Sequence, residues 1–122
     1  MNIAVFASTN GTDLQAIIDE MKSGKMPGID LKCVLVNKKD CGAAEKANKA
    51  GIPVVFLNPK TRDGKTLERE VYDRHVDKVC TIYEIDLIVL AGWMRILSPW
   101  FVKQYPKRMI NIHPSLLPKY PG

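Results

Sequence analysis

Asn2-Ile3-Ala4-Val5-Phe6-Ala7-Ser8-Thr9-Asn10-Gly11-Thr12-Asp13-Leu14-Gln15 opens the chain with a short apolar run that stops at a cluster of turn residues. The run predicts a first strand from Asn2 to Ala7, ended by Ser8-Thr9-Asn10-Gly11. Thr12 with Gln15 three residues later has the form of a capping box, and Leu14, Ile17, Ile18 and Met21 recur at helical spacing. A helix therefore runs to about Gly24. Strand, tight turn and helix in this order form the first half of a βαβ unit.

Working outward, the same alternation repeats. Ile29 to Asn37 predicts a second strand, and a helix from about Cys41 ends near Gly51, the residue type suited to a left-handed cap. Pro53 to Leu57 is the third strand. Leu67, Val71, Val79 and Cys80 are placed on a long helix from about Asp63, charged on its outer side, and Asp86 to Gly92 is a buried fourth strand. Ser98-Pro99 starts a short helix with a capping hydroxyl and a first-turn proline. Met109 to His113 alternates as a further strand. The expected fold is α/β: a Rossmann-like, doubly wound, mostly parallel sheet with helices on both faces, formed by residues 1–122 as one domain. In such sheets ligands bind beyond the carboxyl ends of the strands, where the loops after strands one and four meet.

The 122 residues, 46% hydrophobic and 25% charged, suffice to bury a core. Met1 to Val5 lack the features of a secretory signal, and no apolar stretch is long enough to span a membrane, so a cytoplasmic location is expected. Cys33, Cys41 and Cys80 form no C-x-x-C pair and read as structural thiols. The net charge of +5 is unevenly placed. Residues up to Asp86 balance 13 basic against 13 acidic side chains, and the surplus comes from Arg95, Lys103, Lys107, Arg108 and Lys119. An anionic ligand would favour that end, although charge alone, without the motifs below, favours a solvated basic edge.

Two stretches carry chemistry. The turn from Ser8 to Asp13 leads into a helix N-terminus, whose backbone N–H groups suit a phosphate. It is neither a dinucleotide fingerprint nor a Walker P-loop, and a carboxylate at Asp13 would repel a phosphate it faced. The second stretch is Asn111-Ile112-His113-Pro114-Ser115-Leu116-Leu117-Pro118. Strand alternation puts Asn111 and His113 on one face and Ile110 and Ile112 on the other, where the isoleucines can bury. Pro114 and Pro118 stiffen the support of the imidazole. An amide donor beside an imidazole suits acyl or formyl transfer, with Asn111 stabilising an oxyanion and His113 exchanging a proton. Alternatively, His113 is a hydrogen-bonded strand-end residue and Asn111 a turn-former. A metal site is not indicated, since His75 is the only other histidine and sits on a charged helix without a partner. A serine hydrolase would need a G-x-S-x-G elbow that is not in the sequence.

From end to end the chain resembles the phosphoribosylglycinamide formyltransferases. The resemblance is carried by Ser8-x-Asn10-Gly11, by Leu14 to Asp19, by Leu90-Ala91-Gly92-Trp93-Met94-Arg95-Ile96-Leu97-Ser98-Pro99, and by Asn111 to Gly122. It implies formyl transfer from 10-formyltetrahydrofolate, as co-substrate and without a metal, to the amine of phosphoribosylglycinamide in de novo purine biosynthesis. It further implies that His113 donates the proton and Asn111 steadies the oxyanion. Gly11, Thr12 and Asp13 would cradle the substrate phosphate, with Pro114 also at the substrate. Arg69, Met94, Arg95, Ile96 and Leu97, together with Asn111, would line the folate pocket. Thr9 stands where the family usually has glycine, and Asp13 where it usually has asparagine.

Family members extend well past the position of Gly122 and supply from there an aspartate that raises the pKa of the histidine. The expectation is thus that these 122 residues form the N-terminal part of such an enzyme and turn over slowly or not at all alone. The sheet edge would take up a C-terminal fragment or a second copy. No nucleic-acid or membrane partner is expected. Rival readings are a methionyl-tRNA formyltransferase-like enzyme, a formyltetrahydrofolate deformylase, and a non-catalytic remnant that binds a nucleotide or a partner chain.

Overall fold

The computed structural model describes residues 1–112. Nine elements alternate along them: β1 (Asn2–Ala7), α1 (Thr12–Lys22), β2 (Asp30–Val36), α2 (Gly42–Lys49), β3 (Val54–Phe56), α3 (Arg69–Ile82), β4 (Leu87–Ala91), α4 (Pro99–Gln104) and β5 (Met109–Ile112). The five strands form one sheet in the order β3-β2-β1-β4-β5, and every pairing is parallel. The expected alternation and winding are both present, and the chain reverses its direction of winding between β1 and β4. His113 and Pro114 lie outside the described residues.

Both faces of the sheet are covered, as its apolar strands require. Leu14, Ile17 and Ile18 of α1 and Ala43, Ala44 and Ala47 of α2 pack on one face, against Val5, Ala7, Val34 and Val36. On the other face α3 and α4 bring Tyr72, Val76, Val79 and Phe101 against Phe6, Cys33, Leu35 and Ile88. Gly51 takes the left-handed conformation expected of it, at φ 74°.

Four local expectations are corrected. Thr12 does not cap α1: the N-cap is Gly11, at φ 81°, and no side chain caps from that position. Gly11 turns the chain so that Asn10 Oδ1 reaches back to accept from Thr12 N and Thr12 Oγ1, at 3.1 and 3.0 Å. Gln15, freed from the box, donates to Asp19 instead. The long helix starts at Arg69, not near Asp63. Residues 60–66 form a tight reversal, in which Thr61 N donates to Lys65 O and Lys60 bridges antiparallel to Thr66, with Gly64 at φ 82°. A backbone turned left-handed at Gly64 cannot nucleate a right-handed helix there.

Val71 is 41% exposed, because the inward stripe of α3 is Tyr72, Val76, Val79 and Cys80. Leu67 packs on the core from ahead of the helix. Ile110 is likewise 48% exposed, since β5 pairs on one side only among the described residues. Ile112 is partly buried as expected.

Candidate active site at the carboxyl ends of β1, β4 and β5

The loops after β1 and β4 meet, and Ser8 joins them. Ser8 is buried; its N–H donates to Gly92 O at 3.1 Å and its Oγ accepts from Met94 N at 3.0 Å. Gly92, at φ 73°, has no room for a side chain: a Cβ there would sit 2.8 Å from Thr9 Oγ1. Thr9 thus occupies the space that a residue at position 92 would need.

The same β1 loop is braced from behind by α2. Thr9 O accepts from Ala43 N, and Lys46 Nζ donates to Asn10 O at 2.8 Å. A Cβ on Gly11 would come within 2.6 Å of Ala43 Cα, and one on Gly42 within 2.5 Å of Asn10 O. Only glycine permits this approach. Gly11, Thr12 and Asp13 are accordingly held together at the N-terminus of α1, where the helix dipole favours an anion. Thr12 N already donates to Asn10 Oδ1, so a phosphate has to share that donor or displace the amide.

The loop after β4, residues 92–98, is pinned at both ends. Met94 N is held by Ser8, and Ser98 N donates at 2.6 Å to Oδ2 of Asp73, a carboxylate buried on α3. Ser98 Oγ in turn accepts from Phe101 N and caps α4, as the Ser-Pro pair predicts. Along it, Met94 and Ile96 are each 70% exposed, and Leu97 is half-buried against the core. The guanidinium carbon of Arg95 lies 4.0 Å from the centroid of the Tyr72 ring. Burial pushes the Tyr72 hydroxyl up to about 12, against a smaller downward pull from Arg95.

Arg69 at the start of α3 faces this loop. A cleft of about 340 Å³ is lined by Thr66, Leu67, Arg69, Met94, Arg95 and Ile96. Four of the five residues assigned to a folate pocket outside β5 are therefore brought together, across a gap of more than twenty residues in sequence. Leu97, half-buried against the α3/α4 core, is not among the residues that line the cleft. Asn111 pairs with Leu90 at the end of β5 and is exposed. Met109, two residues earlier, packs on the α3/α4 face of the sheet, so strand alternation puts Asn111 on that face too, the side of the cleft. Among the described residues no cluster of three or more His, Cys, Asp or Glu side chains is placed to hold a metal ion. No helix there is long and apolar enough to cross a membrane.

Sequence reading missed Ser8, Asp73, Tyr72 and Lys46 as the parts that hold these loops. Ser8 alone left a signal, as the first polar residue after an apolar strand. Tyr72 at helical spacing reads as core, and nothing marks Asp73 or Lys46 among the other charges.

The comparison with known proteins decides the family, because residues 1–122, the whole chain, match the family described as Formyl transferase. The chain belongs to the formyl transferase family. Its relatives within that family include the phosphoribosylglycinamide formyltransferase of Escherichia coli K12, 49% identical over 122 residues, which are all of this chain and 55% of the relative. The phosphoribosylglycinamide formyltransferase structure from Bacillus halodurans superposes with a TM-score of 0.85 at 37% identity, covering all of this chain and 60% of that one. The Coxiella burnetii structure of the same description gives 0.84 at 40% identity, covering 98% and 54%. This formyl transferase chain thus spans about half the length of the relatives it matches.

Proposed function

We propose that these residues supply the scaffold and half the active site of an enzyme that transfers the formyl group of 10-formyltetrahydrofolate to the amine of phosphoribosylglycinamide in de novo purine biosynthesis. The observation that carries the reading is the shared face: Asn111 at the end of β5 stands on the side of the sheet where Arg69, Met94, Arg95 and Ile96 form a cleft. Family membership and the relatives' printed names support it. The cleft suits the donor chemically. Leu67, Met94 and Ile96 offer apolar contact to a flat ring, and Arg69 and Arg95 line the same cleft. Two guanidinium groups also favour the donor's carboxylates.

In this reading the phosphate of the acceptor substrate sits at Gly11, Thr12 and Asp13, ahead of α1, with Pro114 near the substrate. The amine attacks the formyl carbon, and the oxygen of that carbon gathers charge. Asn111 donates its amide N–H to that oxygen; as the bond between the formyl carbon and the folate nitrogen breaks, His113, two positions further on, gives that nitrogen a proton and regains one from the attacking amine, which loses it on becoming the amide. Leu97, packed against the core, supports the folate loop. Three free thiols among the described residues accord with a reducing, cytoplasmic setting. β5 pairs on one side only among the described residues, and its other side is where a C-terminal fragment or a second copy would add to the sheet.

The test is a formyl-transfer assay of the purified chain with both substrates, alone and mixed with a C-terminal fragment of a relative. Slow or no turnover alone and restored turnover in the mixture is the expected result. Full activity in the chain alone refutes the half-site reading. Binding of phosphoribosylglycinamide without transfer in either sample refutes the catalytic one.

A further inference from the structure

Arg95 has an unusual setting for an arginine at the rim of a cleft. Its Nε is buried without a hydrogen-bond partner among the described residues, while its guanidinium lies over the Tyr72 ring. A guanidinium held over a ring face keeps its charge close to the ring and leaves its terminal N–H groups for another partner. The ring cannot swing away freely. Tyr72 is 1% exposed, and its hydroxyl donates to Leu57 O at 2.8 Å. The next residue, Asp73, holds Ser98 N at the far end of the loop that carries Arg95. One turn of α3 thus holds both the loop and the position of its guanidinium.

We propose that Tyr72 is a positioning residue for recognition of the folate donor: its ring holds the Arg95 guanidinium in place at the cleft, so that the donors other than the buried Nε meet a ligand bearing hydrogen-bond acceptors. This rests on the folate reading of the cleft. An arginine free to turn has to give up side-chain entropy when it grips a ligand, whereas one already stacked gives up less. The neighbouring Met94 and Ile96, exposed to water without a ligand, give such a ring an apolar surface to cover. The high pKa of Tyr72 keeps the ring neutral at working pH.

The experiment is calorimetric titration of the full chain with tetrahydrofolate, and separately with phosphoribosylglycinamide, for the unsubstituted protein and for Tyr72→Phe, Tyr72→Leu, Arg95→Met and Arg95→Lys. Tyr72→Phe keeps the ring and is expected to keep the tetrahydrofolate affinity. Tyr72→Leu and Arg95→Met should each weaken it about tenfold, with phosphoribosylglycinamide binding unchanged and with no further loss when the two are combined. Arg95→Lys retains the charge but not the planar fork, and should lose as much as Arg95→Met. Wild-type tetrahydrofolate affinity in Tyr72→Leu, equal loss of both ligands, or an additive double substitution would overturn the proposal. Because a buried tyrosine can be needed for folding, Arg95→Lys on the exposed loop is a second route: wild-type affinity there overturns it as well. A folded, unsubstituted chain that binds no tetrahydrofolate refutes the functional reading, and this one with it.

Discussion

At the residue scale the site depends on a few groups whose neighbours leave them one task. Asn111 is exposed at the end of β5, with its backbone engaged in the ladder to β4 and its side chain on the face of the cleft. Removing an amide that meets charge only as the transition state forms should lower kcat and leave KM alone. We expect Asn111→Ala, assayed in the complemented enzyme, to lose about 10²- to 10³-fold in kcat with both KM values unchanged. A rise in KM with kcat intact would assign Asn111 to binding instead. Its candidacy was legible in sequence because a polar residue interrupts an apolar alternation. The stacking of Arg95 on Tyr72 was not, since an aromatic at helical spacing looks like any core residue and Tyr72 is also that.

At the scale of elements, α3 acts as a strut for the loop after β4. Asp73 and Ser98 are both buried, and the carboxylate is the acceptor for Ser98 N. Asp73→Ala strands that N–H away from water, at a cost of about 1–3 kcal/mol, while Asp73→Asn keeps an acceptor in place and should retain most of the stability. Urea titration checks this: the midpoint should fall for alanine with an unchanged slope. Equal midpoints for the two variants would mean the contact is not holding the loop. Strands and helices were readable here wherever one period ran unbroken, as in Asn2 to Ala7 followed by Leu14 to Met21. The start of α3 was not, because the charges of residues 63–68 resemble the outer face of a helix, whereas Asp63-Gly64 turns the backbone back on itself there. The close packing of α1 on α2 was equally hidden, for it depends on two glycines, Gly11 and Gly42, more than thirty residues apart in a chain with eight.

At the scale of the whole molecule, the buried acids of the α3/α4 face set the alkaline limit of stability. Burial raises Cys33 to about 11 and Cys80 to about 12, Tyr72 to about 12, and Tyr105 well above the usual tyrosine range. For Tyr105 the hydrogen bond it donates to Asp77 adds to the desolvation. Each group holds its proton more tightly folded than unfolded, so its contribution is complete below the ordinary value, 9.0 for the thiols and 10.0 for the phenols. That contribution is lost as pH climbs through the raised values. Urea midpoints should stay level from neutrality to about pH 9 and then fall steeply toward pH 12; Cys80→Ala should make the decline shallower. A flat profile to pH 11 would contradict the burial of these groups.

β1 sets a different kind of limit. It lies between β2 and β4, and Asn2 hydrogen-bonds to Asp86 across 84 positions of sequence. Val36 closes the first of these pairings and Leu90 the second. A ribosome adding about 5–20 residues per second separates the two events by roughly 3–10 seconds. During that interval every nascent copy on a shared message carries the same apolar strand with one side unpaired, so the spacing of ribosomes along the message, and not only the concentration of finished protein, governs how often two copies meet edge to edge.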